Sequence, residues 1–210
     1  MTYMHFGAEK RGILFIISAP SGAGKTTLFK MALEKIDGLS PSISCTTRAK
    51  RGQEVDGKDY IFLDEKAFNH MVEESGFVEW AKVHNNFYGT PKKNIDESIE
   101  KGDDILFDID IQGARSLKET FPEAVLIFIM PPSFSTLKER LVQRTAADDP
   151  LDIELRMLNA MDEIRAATEF DYIVTNDDLN TAFFGLNAVI VAERLKREKN
   201  NFDFDEFIGL

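Results

Sequence analysis

The sequence predicts an α/β fold, a parallel sheet flanked by helices, with a small β-rich lobe inserted after its first βα unit. Three observations carry this. Apolar runs at 13–17, 105–107 and 125–130 read as strands buried on both faces, with amphipathic segments between them. A glycine-bearing turn joins the first run to the first helix. Residues 40–90 break the alternation with short β-forming stretches around a polar loop.

Composition sets the class. A length of 210 residues fits one core with inserted lobes, and 43% hydrophobic residues suffice to fill it. The net charge of −11 argues against a nucleic-acid partner, so any polyphosphate site must gather its cations locally. Cys45 is the only cysteine and has no internal partner, which fits a reducing compartment. No apolar run reaches membrane-spanning length and the first residues carry no signal-peptide apolar region, so a cytoplasmic protein without a membrane partner is expected. Segments 1–11 and 199–210 are expected to be tails.

The first strand leads into Ser18-Ala19-Pro20-Ser21-Gly22-Ala23-Gly24-Lys25-Thr26-Thr27. The following helix carries Leu28, Phe29, Ala32, Leu33 and Ile36 on one face and ends at Asp37-Gly38. Strand, glycine turn and Lys-Thr helix start form a phosphate-binding P-loop. Glycine permits the inward turn at positive φ, and successive N–H groups with the helix dipole then face one anion. Lys25 adds charge for the β- and γ-phosphates, and the Thr26 hydroxyl can join a Mg²⁺ shell. Ala19 stands where the pattern G-x-x-x-x-G-K-[ST] has its first glycine, but the strand-to-helix context confirms the motif.

Residues 46–60 have little apolar content, two glycines and four cations, and so form a surface loop. A short strand is expected at 42–45 and another at 60–63. Asp64 caps a helix bearing Phe68, Met71 and Val72, which Gly76 stops. Segment 77–84 forms a strand that Asn85-Asn86 turns back through 87–89. Thr90 is the expected cap of the next helix, with Pro91 in its first turn and Lys101-Gly102 at its end. The strand at 105–110 ends in Asp108 and Asp110, whose i, i+2 spacing points both to one side. Helix 112–121, strand 125–130 and a helix with Leu137 and Leu141 follow. Residues 145–152 are loose and acidic, 153–170 are helical, 171–175 form the last strand, and 179–198 the last helix.

Several polar groups carry chemistry. An Asp at a parallel strand end beside a P-loop is placed to hold Mg²⁺ through water, although such residues also simply cap the next turn. Arg48 and Arg51 with Tyr60 offer bidentate and neutral donors to phosphate, although on these residues alone a solvated basic loop is the better reading. Glu79 is a carboxylate in an otherwise apolar strand, and guanine offers two donors on one edge where adenine does not. Arg140, Arg144 and Arg156 bracket 145–152, a segment suited to closing over a transferring phosphoryl group. His5, His70 and His84 show no metal-ligand spacing.

These pieces together resemble guanylate kinase. The match rests on the P-loop, Ser44-Cys45-Thr46-Thr47-Arg48 with Arg51, Glu54, Gly57 and Tyr60, Val78-Glu79-Trp80-Ala81, Tyr88-Gly89-Thr90, 108–113, 131–133 and 174–179. It runs from about Gly12 to Leu195 in family order and looks closest to single-domain bacterial enzymes. The resemblance implies a P-loop NTPase fold at 12–198, with core 12–39, 91–139 and 168–198, an acceptor lobe at 40–90 and a helical lid at 140–167. It implies Mg²⁺-dependent transfer of the ATP γ-phosphate to GMP, and also to dGMP. It places Arg48, Arg51, Tyr60 and Tyr88 on the GMP phosphate, and Ser44, Glu79, Thr90 and Asp110 on the guanine. ATP falls to residues 19–27 (Ala19, Pro20, Ser21, Gly22, Ala23, Gly24, Lys25, Thr26, Thr27), with Asn176 and Asp177 near the adenine and Asp108 with Thr26 near the metal. Lys25, Arg48, Arg140, Arg144 and Arg156 are the implied catalytic cations. The chain departs at the lid, where Thr145 replaces the usual glycine and 145–152 is about a residue longer. Guanylate-kinase-like domains also serve as binding modules without nucleotide chemistry, but the intact Gly24, Lys25, Thr26 and Asp108 argue against that here. A kinase for a phosphorylated sugar is the nearer rival, and it has no use for Glu79, Ser44 and Thr90 on a base edge.

Overall fold

A computed structural model describes residues 11–83, 85–144, 150–196 and 208–209, with the backbone alone at 83, 144 and 150–152. Its first sheet has five strands, β1 (Leu14–Ser18), β2 (Leu39–Pro41), β7 (Asp104–Asp108), β8 (Val125–Met130) and β9 (Tyr172–Thr175). Their order is β2-β7-β1-β8-β9, and every pairing is parallel. The second sheet, ordered β4-β3-β6-β5, consists of β3 (Cys45–Thr46), β4 (Ile61–Phe62), β5 (Phe77–Val83) and β6 (Asn86–Pro91).

Alternation along the central strand explains the layers. Ile13, Phe15 and Ile17 face α1 (Lys25–Lys35) and α7 (Leu179–Leu195), packing with Leu28, Ala32, Ala182, Leu186 and Ile190. Leu14 and Ile16 face α3 (Lys92–Lys101) and α4 (Ile111–Thr120), packing with Ile95, Ile99, Ala114 and Leu117. A strand buried on both sides needs both sets to be apolar, which is why it reads as an unbroken run. Fully burying one such Phe or Ile contributes about 1.5–3 kcal/mol.

The lobe has its own small core, in which Cys45, Phe68 and Phe77 are buried and α2 (Glu65–Glu73) lies across the sheet. Burial, and secondarily Asp56, push the Cys45 thiol up to about 11. Iodoacetamide at pH 8 should therefore label Cys45 far more slowly in the folded protein than in urea; equal rates would contradict this packing.

Four local expectations change. Leu39–Pro41 is a strand of the main sheet paired with β7, so the lobe begins after Pro41 rather than at residue 40. Three residues with one apolar side chain are too short to show a period. Thr90 does not cap a helix: it lies in β6 opposite Glu79, and Pro91 is the N-cap of α3. Segment 150–152 is not loose but opens α6 (Pro150–Arg165), and the helix tightens to a 3₁₀ turn over Ala166–Glu169 instead of running to 170. The strand expected over 105–110, β7, stops at Asp108, because the Asp110 side chain accepts from the Gly113 N–H and caps α4. Among the described residues no helix is long and apolar enough to cross a membrane.

Candidate active site

Parallel strands bring the C-terminal ends of β1, β7, β8 and β9 to one edge of the sheet, and the site is built there. Between β1 and α1 the chain turns tightly, with Ala23 N–H donating to Pro20 carbonyl at 3.1 Å. Gly22 and Gly24 take φ of 91° and 92°, a region where an L side chain is strained. A Cβ on Gly22 would also lie 3.2 Å from Leu137 and Leu141 of α5 (Phe134–Arg144), and one on Gly24 2.3 Å from Asn176 Nδ2. Gly24 is the N-cap of α1, yet no side chain caps that end and its first turn holds no acid. By contrast α2, α4 and α7 are capped by Asp64, Asp110 and Asp178. The uncapped end leaves N–H groups and the positive dipole end open to an external anion.

Lys25 is aimed across this turn at β7. Its Nζ donates to Ile109 carbonyl at 2.8 Å and pairs with Asp108 at 2.6 Å. Asp108 and Asp110 thus divide: the first binds Lys25, the second caps α4. Thr26 is exposed in the first turn of α1. Thr26 and Asp108 supply hard oxygen donors suited to Mg²⁺, which keeps several waters. Among the described residues no group of three or more His, Cys, Asp or Glu side chains could hold a metal ion.

The lobe supplies a second set. Glu79 on β5 is half-buried and accepts from the Thr90 hydroxyl at 2.6 Å, while Thr90 is fully buried. Desolvation first, and Asp110 next, raise the Glu79 carboxyl above its ordinary pKa, while the Thr90 bond partly offsets this. The lobe's base-edge candidates therefore adjoin the core through α4, which packs on β5.

The cationic cluster is more constrained than the loop composition implies. Arg48 is buried, not solvated, and its Nη atoms grip Glu54 at 2.8 and 3.0 Å. Glu54 also accepts from the Arg51 N–H at 2.7 Å. The Arg48 hydrogen bonds, and then that N–H, hold the Glu54 carboxyl down at about 2, and Glu54 in turn raises Arg48. The Arg48 guanidinium lies 5.3 Å from the Tyr60 ring centre, and Tyr60 meets Tyr88 edge-on at 6.1 Å. Arg48, Tyr60 and Tyr88 are thus one group; Arg51 is exposed on its rim, and Ser44 borders β4 through its carbonyl.

Arg140 on α5 donates to the Asn176 carbonyl at 3.1 Å, and Arg156 is half-buried on α6. The Arg144 side chain and Thr145 lie outside the described residues. Asn176 is buried, with its amide on the Ala23 carbonyl; Asp177 is exposed beside it.

Two residues escaped the sequence reading of the site. Glu54 carried a weak signal, one of three acids among the four cations of loop 46–60, but its partner is set only when the loop folds. Glu163 on α6 carried none. Its carboxyl is raised, chiefly by burial and also by Asp110, while the Ser21 N–H and Lys25 favour its charged form. Asp110 thus raises both Glu163 and Glu79, the first also under the influence of Lys25.

Comparison with known proteins follows this geometry. The guanylate kinase family model matches residues 11–193. A guanylate kinase of Nitrobacter winogradskyi is 47% identical over 194 residues, covering 92% of this chain and 88% of that protein. One from Caldanaerobacter subterraneus subsp. tengcongensis is 44% identical over 192 residues, covering 91% and 93%. The crystal structure of guanylate kinase from Anaplasma phagocytophilum superposes with a TM-score of 0.70 at 31% identity, covering 95% of each chain.

Proposed function

This chain belongs to the guanylate kinase family, and on that premise we propose how its residues divide the work. It is an ATP:GMP phosphotransferase. A GMP phosphate oxygen attacks the ATP γ-phosphorus, the bond to the bridging oxygen breaks, and ADP and GDP leave. Phosphoryl transfer asks the protein for positioning and charge stabilisation rather than covalent chemistry.

Residues 19–27, with Lys25 and the open end of α1, hold the ATP phosphates, and the turn at Asn176 and Asp177 borders the adenine. Arg48, Arg51, Tyr60 and Tyr88 hold the GMP phosphate. Glu79, Thr90, Ser44 and Asp110 read the guanine. Thr26 and Asp108 are the residues that would hold Mg²⁺, which would supply charge neutralisation on the phosphates. Arg140, Arg144 and Arg156 of the lid segment 140–167 are assigned to the charge of the transferring group. The lobe 42–90 and this segment are the parts that move on binding, keeping water from the γ-phosphoryl. Because these residues are assigned to base and phosphate, dGMP is an acceptor too.

The observation that carries the acceptor assignment is the half-buried Glu79 carboxylate beside Thr90 and Asp110. An acid is kept in so costly a place where a ligand brings donors to it. A coupled ADP-release assay with GMP, dGMP, AMP, UMP and a sugar phosphate tests it: turnover confined to guanine acceptors is expected, and efficient turnover of AMP or the sugar phosphate would overturn it.

Glu79→Gln separates function from stability. It turns one acceptor into a donor facing a donor, so kcat/KM for GMP should fall roughly tenfold to several hundredfold, with KM for ATP nearly unmoved. The ligand-free variant should melt higher at neutral pH. A carboxyl whose folded pKa is raised loses stability as pH rises from its unfolded toward its folded value, and the penalty persists above. Glutamine removes that penalty, so the gain should fade as pH falls below about 4, where the wild-type acid becomes protonated in both states. Unchanged GMP kinetics, or a parallel loss for ATP, would remove Glu79 from the base site.

A further inference from the structure

Asn176 stands one residue past β9 and is 5% exposed. Its N–H donates to the Met130 carbonyl at 2.8 Å, extending the β8–β9 ladder, so its backbone is fixed by the sheet. From there the side-chain amide reaches the Ala23 carbonyl at 2.7 Å. The contact is so close that only glycine fits at 24, since a Cβ there would lie 2.3 Å from the amide nitrogen.

A trans peptide points its carbonyl and its N–H to opposite sides. Holding the Ala23 carbonyl on Asn176 therefore turns the Gly24 N–H to the face of the loop away from Asn176. Gly24 is also the residue least able to resist rotation of this peptide, because glycine occupies both signs of φ. If the peptide turned over, a carbonyl oxygen would face the incoming anion in place of a donor. We propose that Asn176 is a positioning residue for the triphosphate site: its amide holds the Ala23–Gly24 peptide in the orientation that offers the Gly24 N–H to a phosphate. The side chain acts on the phosphates and not on the base. The Asn176 carbonyl meanwhile holds Arg140, so loop and lid arginine share one sheet-anchored residue.

This inference rests on the loop being the ATP phosphate site, and the test separates the two. The probe is inorganic tripolyphosphate, which has no base, titrated into ¹⁵N-labelled protein. In the wild type the Gly24 amide should shift downfield on saturation. In Asn176→Ala, and in the near-isosteric Asn176→Asp, tripolyphosphate affinity should fall roughly tenfold to a hundredfold and the Gly24 shift should shrink, as expected for a buried acceptor left unpaired. GMP affinity should stay within about twofold of wild type, since its residues lie mainly in the other lobe. Weaker ATP binding with unchanged tripolyphosphate affinity would place Asn176 on the base and overturn the inference. Parallel loss of GMP affinity in both variants would make Asn176 a general structural residue and overturn it too. No Gly24 response in the wild type would overturn the phosphate-site reading itself, and the inference with it.

Discussion

Replacing Lys25 with alanine is expected to lower kcat by on the order of a hundredfold to a thousandfold, the scale for losing a preorganised group at developing charge. The fold should survive. The Lys25–Asp108 pair is only partly shielded, with side chains 20% and 26% exposed, and such a pair contributes about 0–1 kcal/mol. Thermal melting should therefore move by no more than a few degrees. Turnover within about threefold of wild type would dismiss the phosphate role of Lys25. A collapse of melting temperature would show that Lys25 serves the fold first, by tying α1 to β7 through Asp108 and Ile109.

The largest effect on stability is expected at the other end of β7. Asp104 is fully buried; it accepts from the Ile13 N–H at 2.9 Å and from Arg194 Nε at 2.7 Å. Arg194 also donates to the Asp37 carbonyl at 3.0 Å, so the carboxylate ties the start of β1 and the ends of α1 and α7 together. Asp104→Ala takes the carboxylate away from the Ile13 N–H and from the Arg194 guanidinium, which keeps its bond to the Asp37 carbonyl. Breaking a buried pair from one side costs about 3–5 kcal/mol. For a chain of this size the melting midpoint should drop by roughly 6–20 °C. At 15 °C the folded variant should keep near wild-type kinetics, because the site lies at the opposite strand ends. Adding Arg194→Met should recover part of the loss, since it removes the stranded charge. A midpoint within about 2 °C of wild type in the single variant would contradict this account.

The sequence carried the parts of the fold that follow from short-range rules. The apolar runs announced β1, β7 and β8 because a strand buried on both faces keeps its interior positions apolar and leaves polar residues such as Ser18 and Asp104 to its ends. Gly22, Gly24 and Lys25 announced the anion turn because its backbone geometry tolerates few other residues. Asp64 announced α2 because capping is local. Where two structural roles compete for one residue, only the folded chain chose. Thr90 is a good cap by composition, but its hydroxyl goes to Glu79 across the hairpin. Asp110 reads as a strand end, but its carboxylate meets the Gly113 N–H and opens α4.

By itself, then, the sequence determined the class, the family and which residue types could meet phosphate and base, since these depend on spacings of a few residues. Tertiary structure alone decided the partnerships: Arg48 with Glu54, Glu163 beside Ser21 and Lys25, Asp104 with Arg194, and Asn176 under Ala23, 153 positions away. The physical reason is that burial and hydrogen bonding act between atoms brought together by chain topology. A carboxylate or amide looks the same in sequence whether water or a distant carbonyl receives it.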